Sequence, residues 1–229
     1  LLKCNKCGHC QLKNVIDPNE VYDDSYKHRS SESSISKKGN DFFFNFIKDK
    51  VPITEDKKIL EIGCNDGYLL NKLSFANSTL IGIDPLWINE QSPKSDKFKI
   101  IGGFAGQIKE IVPSGFRPNL IVSAHAFEHT VDLYNDLQEI IDIAEDGAEI
   151  FIEMPSFDTL LRLRRFDQIF HQHIQYINES SIRYLIKNLN CSLKSINYNR
   201  NYWGGTVIFN FQKKISSENQ FTKTLIIED

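Results

Sequence analysis

The stretch Ile59-Leu60-Glu61-Ile62-Gly63-Cys64-Asn65-Asp66-Gly67 passes from a short apolar run into a turn with glycine at each end. Apolar residues then return at helical spacing from Tyr68 to Leu73, so the stretch predicts a strand, a tight turn and a helix in succession. Further on, Leu80–Asp84, Phe98–Ile101, Leu120–Ser123 and Glu149–Ile152 read as four more strands. The clearest helical pattern between them runs from Val131 to Ala144, with Leu133, Leu137, Ile140, Ile141 and Ala144 on one face. Before the first strand, Phe42, Phe43, Phe46 and Ile47 form a stripe that predicts a helix packed on the core. Strands that alternate with helices predict a parallel sheet covered on both faces, with ligands at the carboxyl ends of the strands.

The last strands break that pattern. After a helix near Ser181–Asn188, Ser192–Ile196 and Thr206–Phe211 are joined by only about ten residues, too few for a helical crossover and enough for an antiparallel turn through Gly204-Gly205. The expected fold is therefore α/β and Rossmann-like, a mostly parallel seven-stranded sheet with a terminal antiparallel hairpin.

At 229 residues, 41% of them hydrophobic and 25% charged, the chain can bury one substantial core. It divides by composition into a Cys-containing segment and substrate-side arm at 1–38, the main domain at 39–213 and a polar tail at 214–229. A net charge of -3 supplies no global basic field, which disfavours tight binding to nucleic acid or anionic membrane. No apolar run reaches the length of a membrane span, and the expected location is cytoplasmic. Oligomeric state is not legible.

A glycine turn between strand and helix lets backbone amides approach a ligand closely. Here the turn lacks the third glycine of a dinucleotide fingerprint and carries Glu61 and Asp66 instead. An acidic rim suits a ligand with an ammonium and a sulfonium, S-adenosylmethionine, better than one with phosphates. Asn65 stands at the middle glycine position, where its side chain tolerates a left-handed backbone. Asp84 ends the second strand about twenty residues on, where a carboxylate can accept both ribose hydroxyls. Phe104 and Ala105 follow the third strand, Phe104 reading either as an adenine wall or as core. Gly63, Gly67, Tyr68, Pro85 and His125 complete the expected donor pocket.

Together these residues resemble the bacterial sugar methyltransferases related to the C-methyltransferases of deoxysugar biosynthesis. The matching stretches are Cys4-x-x-Cys7-Gly8, Tyr22 to Ser31, Leu60 to Gly67, Phe127-Glu128-His129, His171-Gln172-His173 with Tyr176, and Gly204-Gly205-Thr206. The resemblance implies a zinc knuckle, a class I methyltransferase core and a nucleotide-activated sugar as substrate. The family's large C-terminal domain has no counterpart in this stretch, and a surface polysaccharide such as capsule or O-antigen is the implied destination.

Departures from the family bear on chemistry. Where family members have Tyr-His-Glu-His, this chain has Phe170-His171-Gln172-His173, and His28 replaces a second tyrosine. Carbon methylation beside a keto group needs a base and enolate stabilisation, whereas oxygen methylation needs one base and an in-line donor. Oxygen transfer is therefore favoured, with carbon transfer as the alternative; a protein or RNA methyltransferase and a non-catalytic donor-binding module are the other readings. His173 and His171 lead as the base and His129 is a further candidate, because imidazole titrates near neutrality. The two rings of His171-x-His173 share one side only if that stretch is extended. Tyr26, His28, Arg29 and Tyr176 are the expected substrate contacts. Glu153, ending the fifth strand, orients substrate or is a solvated strand end. Arg29, Arg162, Arg164 and Arg165 either hold a diphosphate or lie on solvated surface. Cys4 and Cys7 can give a structural zinc two of its four ligands; His9 and Cys10 would complete the shell only with awkward geometry, so further ligands either lie upstream of Leu1 or do not exist, which leaves a vestigial knuckle with free thiols.

Overall fold

The computed structural model describes residues 1–17, 20, 28–52, 56–74, 78–202 and 204–215. Its main sheet has the order β5-β4-β3-β6-β7-β10-β9. The parallel members are β3 (Lys58–Ile62), β4 (Thr79–Asp84), β5 (Lys99–Gly102), β6 (Leu120–Ala124) and β7 (Glu149–Pro155). The hairpin of β9 (Cys191–Asn199) and β10 (Thr206–Lys213) closes one edge, β10 running antiparallel to both β7 and β9. This is the seven-stranded arrangement expected from the pattern of runs and turns.

Each face of the sheet buries its own core, which is why the strands read as continuous apolar runs rather than alternating ones. On one face α1 (Ser34–Lys50) sets Phe43 and Ile47, both fully buried, against Ile59, Leu69, Leu70, Leu73, Leu80, Leu120 and Phe151. Burying each such side chain contributes about 1.5–3 kcal/mol. Leu69, Leu70 and Leu73 come from α2 (Tyr68–Leu73), the helix that follows the glycine turn. On the other face α3 (Ile108–Ile111), α4 (Leu133–Ile143) and α6 (Glu179–Asn188) deliver Ile108, Leu137, Ile140, Ile141, Ile182 and Ile186. Helix α4 starts two residues later than its apolar pattern because the Asp132 side chain caps it, accepting from the Asn135 amide at 3.1 Å. The Asn178 capping box likewise starts α6 at Glu179, ahead of the expected Ser181.

The chain winds outward from β3 through β4 to β5 and then returns to the other side through β6 and β7. The switch point thus falls between β3 and β6, where such sheets open a crevice at their carboxyl ends.

A small second sheet, β1 (Leu2–Lys3), β2 (Cys10–Gln11) and β8 (Gln175–Tyr176), ties the N-terminal segment to the stretch after the histidine pair. Cys10 pairs with Tyr176 and Gln11 with Gln175, and the Asn178 side chain donates to the Gly8 carbonyl at 2.9 Å. Between β7 and β8, α5 (Phe157–Leu163) packs Phe157 and Leu160 on Cys10 and Tyr176. Among the described residues no helix is long and apolar enough to cross a membrane.

Candidate active site

At the carboxyl ends of the parallel strands lies a cavity of about 820 Å³. Its walls come from the glycine turn after β3, Asp84 and Pro85 at the end of β4, Gly103 to Gly106 after β5, Ala124 to Ala126 with Glu128 and His129 at the end of β6, and Glu153 with Pro155 on β7.

The turn is drawn tight by its neighbours. Gly63 has φ of +74°, and a Cβ built on it would lie 2.4 Å from the Ala126 Cβ, so only glycine lets the ends of β3 and β6 close together. Asn65 is left-handed at φ 50° and is held there from several sides. Its amide donates to Asp84 Oδ2 at 2.7 Å, and its carbonyl accepts from the Trp87 indole at 2.7 Å. Its side-chain oxygen accepts from the Ser30 amide at 2.9 Å, while its Nδ2 donates to the His28 carbonyl at 3.2 Å. Asn65 therefore fixes the glycine turn and anchors the segment preceding α1 to it.

Asp84 braces the same region, its Oδ1 accepting from the Leu86 amide at 3.0 Å. Burial raises its pKa, and the Leu86 and Asn65 amides pull against that rise. Glu61 is buried, and its Oε2 has no hydrogen-bond partner. Burial, with the Asp84 charge adding to it, pushes this carboxyl well above the ordinary range. A buried carboxyl with an unpaired oxygen calls for a cation or donor from a ligand.

The opposite end is built around the turn Phe127–His129. Glu128 is buried, and its Oε1 lies 3.2 Å from His125 Nδ1 and 3.9 Å from His129 Nε2. Burial alone would raise the Glu128 carboxyl, but the His125 hydrogen bond and the charges of His129, His125 and His173 hold it at about 2. Burial opposes a charged His125 ring, yet the bond and charge of Glu128 raise its pKa. The rings of His129 and His173 lie 5.1 Å apart. His129 Nδ1 is 2.8 Å from the Gln172 carbonyl, and His173 Nδ1 is 3.2 Å from the Gln168 carbonyl. Burial lowers His173 to about 4, Glu128 pulling against that fall and the His129 and His125 charges adding to it, so its ring is neutral at neutral pH. The Ile174 amide donates to the Glu128 carbonyl at 2.7 Å, which pins the histidine stretch to this turn.

Glu153 faces the same cavity because of the hairpin. Thr206, opposite Pro155 in the β7–β10 register and so diagonal to Glu153, donates its hydroxyl to Glu153 Oε1, and Asn199 of β9 donates to the same atom at 3.3 Å. Burial raises the Glu153 carboxyl, while His125 and these two donors lower it.

The structure thus gathers Glu61, Gly63, Asn65, Asp84, Pro85, Phe104, Ala105, His125, His129, His173, Glu153 and His28 around one cavity. Other expected residues serve different tasks. Gly67, at φ +81°, caps α2 with its α-carbon against Phe98, and the Tyr68 hydroxyl donates to Asp41 of α1 at 2.9 Å. His171 is exposed with its ring edge-on to Phe170, since residues 171 and 172 form a turn and the two histidines diverge. Tyr176 is buried against Phe157, with ring centroids 5.5 Å apart. Arg29 stacks over Trp87, its guanidinium carbon 5.1 Å from the ring centroid. Arg165 does line the cavity, clamped to Asp167 by bonds of 2.7 and 2.8 Å. Tyr26 lies outside the described residues.

Cys4 and Cys7 sit on one turn, closed by the Gly8 amide donating to the Cys4 carbonyl at 2.9 Å. His9 turns away, its Nε2 at 2.7 Å from Gln175 Oε1. No third ligand atom joins the two thiols among the described residues, so these residues do not make the four-ligand shell of a structural zinc.

Sequence reading missed Glu128 as a site residue, and also Asp132 and Asp136, which line the wall near Ala105. The adjacent Glu128-His129 pair was the available signal, but only the fold sets His173 against it.

Residues 34–196 match a family described as a methyltransferase domain. The C-methyltransferase NovU of Streptomyces niveus is 22% identical over 209 residues, covering 90% of this chain and 49% of NovU. The chain thus spans about half the length of that curated relative. Among solved structures, the fold is similar to N-methyltransferase NodS from Bradyrhizobium japonicum WM9 in complex with S-adenosyl-L-homocysteine. That likeness has a TM-score of 0.60 at 13% identity, over 85% of this chain and 95% of NodS. It is also similar to magnesium protoporphyrin IX methyltransferase ChlM from Synechocystis PCC 6803 with bound SAH. The TM-score is 0.59 at 10% identity, over 86% of this chain and 92% of ChlM.

Proposed function

This chain belongs to the methyltransferase-domain family, and from that premise we propose that it transfers a methyl group from S-adenosylmethionine to a hydroxyl of a nucleotide-activated sugar. The observation that carries the reading is one cavity with two unlike ends: a glycine turn with the unpaired Glu61 Oε2, and a neutral, buried His173 beside His129. The residues at the first end fit the donor. Glu61 offers an acceptor to its ammonium, the Gly63 turn leaves room for close backbone approach, and Asp84 has lone pairs left for ribose hydroxyls. When bound, S-adenosylmethionine supplies an electrophilic methyl carbon on a sulfonium.

His173 acts as the base. Its Nδ1–H is spent on the Gln168 carbonyl, which leaves the lone pair on Nε2 to take the hydroxyl proton. Glu128, ionised and buried beside it, stabilises the imidazolium that results. Glu153, steadied by Thr206 and Asn199, orients a second hydroxyl of the acceptor. Arg165 on the wall and Arg29 next to His28 supply guanidinium groups for the diphosphate. Residues 1–38 serve as a substrate-side arm to the domain at 39–213, supported by the β2–β8 pairing and by the bonds from Asn65 to residues 28 and 30. The free thiols of Cys4, Cys7, Cys10, Cys64 and Cys191 fit a reducing, cytoplasmic setting, and a surface polysaccharide is the product's destination.

A second reading, methylation at carbon of a keto-deoxysugar nucleotide, is favoured by the 22% identity to C-methyltransferase NovU. Mass spectrometry and NMR of the product from a panel of nucleotide-sugars separate the two, because an O-methyl and a C-methyl differ in proton and carbon shift. His173→Ala is expected to abolish turnover while donor affinity persists. Methyl transfer at the parent rate by that variant moves the base elsewhere, and turnover only on a different substrate class refutes the sugar.

A further inference from the structure

The His–Glu cluster at the acceptor end holds more than a base requires. Among the described residues, Glu128, His129 and His173 each bring one ligand atom within 4.8 Å of the others. An oxygen and two imidazole nitrogens are the donor set of open divalent sites, which keep further positions for water or substrate. We propose that Glu128, His129 and His173 bind a divalent first-row transition-metal cation that holds the acceptor oxygen facing the methyl donor.

Three further features point the same way. Each ring has its Nδ1 against a backbone carbonyl, Gln172 at 2.8 Å for His129 and Gln168 at 3.2 Å for His173. That outer contact is what fixes the tautomer and aims Nε2 of a metal-binding histidine. Glu128 is 1% exposed, and while His125 occupies its Oε1, its Oε2 has no hydrogen-bond partner. A buried carboxyl oxygen left without a partner is costly, and a cation in the cluster removes that cost. Further carboxyl groups, of Glu61, Asp84, Asp132, Asp136 and Glu153, line the same cavity together with Arg165, His28 and His125, and even a protonated carboxyl keeps an acceptor oxygen for the waters of a bound cation.

The site is open to the cavity, because all three residues line it, and rigid, because Glu128 and His129 are neighbours on one turn to which Ile174 is bonded. The proposal rests on the reading of this end as the acceptor's and changes how the hydroxyl loses its proton. With the ion bound, both imidazoles are ligands and the cation acts as Lewis acid. The O–H bond breaks with its proton passing to water, the oxygen's electron pair forms the new bond to the methyl carbon, and the carbon–sulfur pair stays on sulfur.

The test is a cobalt(II) titration of the chelator-treated full chain carrying Cys4→Ser and Cys7→Ser, so that the Cys-x-x-Cys pair adds no signal and only the buried thiols of Cys10, Cys64 and Cys191 remain. The expected result is a saturable visible absorption at one equivalent, displaced by zinc. Glu128→Gln and His173→Ala are expected to weaken it at least tenfold and His171→Ala to leave it intact. No saturable band, or equal titrations in the parent and in His173→Ala, overturns the site; His173→Ala alone decides it if Glu128→Gln does not fold. The sugar reading is scored separately. Undiminished methyl transfer after chelation overturns the cation and leaves the sugar, while cobalt binding without transfer to any nucleotide-sugar overturns the sugar and leaves the cation.

Discussion

Replacing Gly63 by alanine places a methyl carbon 2.4 Å from the Ala126 Cβ, where the end of β3 meets the loop after β6. Gly63 is also left-handed, at φ +74°. The backbone term costs roughly 1–2 kcal/mol for an L residue, and forcing the two walls apart costs about 1–3 kcal/mol more. Gly115 provides the control, since at φ +85° it carries the same backbone term with nothing within 4 Å of an added Cβ. Alanine also restricts the unfolded chain, but equally in both variants, so their difference isolates the contact between walls. That difference is on the order of 1–3 kcal/mol, or roughly 2–12 °C in melting temperature for a chain of this length. Thermal unfolding of the parent and both variants reads it directly. Calorimetric titration with S-adenosylhomocysteine reads the function, and Gly63→Ala is expected to bind at least tenfold more weakly than Gly115→Ala. Equal melting temperatures in the two variants would refute the packing argument, and equal affinities would remove the turn from the donor site.

Asp84→Ala is expected to weaken donor binding more than tenfold and to lower stability by about 2–3 kcal/mol, because the Asn65 and Leu86 amides lose their acceptor; calorimetry showing parent affinity excludes Asp84 from the pocket. Asp136 has its pKa raised from 3.8 to about 7 by burial first and then by the charges of Asp132 and Glu139. The folded state therefore holds this proton more tightly than the unfolded one, so the stabilisation is full below pH 3.8 and is lost as pH rises through about 7. Asp136→Asn, which stays neutral, should gain on the parent by on the order of 2 kcal/mol at alkaline pH, a figure discounted because the side chain is only partly buried. Melting curves at about pH 5 and about pH 8.5 check this; a constant gap between the two proteins at both values rules it out.

The architecture was legible because its causes are local. Strands buried on both faces must be apolar throughout, helices must repeat near every third or fourth residue, and a left-handed turn must take glycine or asparagine; Ile59–Ile62, the Leu133–Ala144 stripe, and Gly63 with Asn65 satisfy these rules within a few residues. The short link between the last two strands sufficed for the hairpin, and the pairing of β10 with β7 then brings the Thr206 hydroxyl to Glu153.

What each side chain does once the fold is made was not local. Tyr68 and Tyr176 both lie near a promising motif, yet the Tyr68 hydroxyl is taken by Asp41 of α1 and the Tyr176 ring is packed into the core around Phe157. His171 and His173 are two residues apart, and a single turn leaves one exposed and brings the other to within 5.1 Å of His129. From the amino-acid order alone came the sheet, the glycine turn and the carboxyl groups of Glu61 and Asp84 beside it, since these depend on backbone conformation and on burial repeated along one segment. The pairing of Glu128 and His129 with His173 came only from the tertiary structure. Proximity across more than forty residues is decided by strand register and loop anchoring, such as the Ile174 amide on the Glu128 carbonyl, and leaves no periodic trace in the chain.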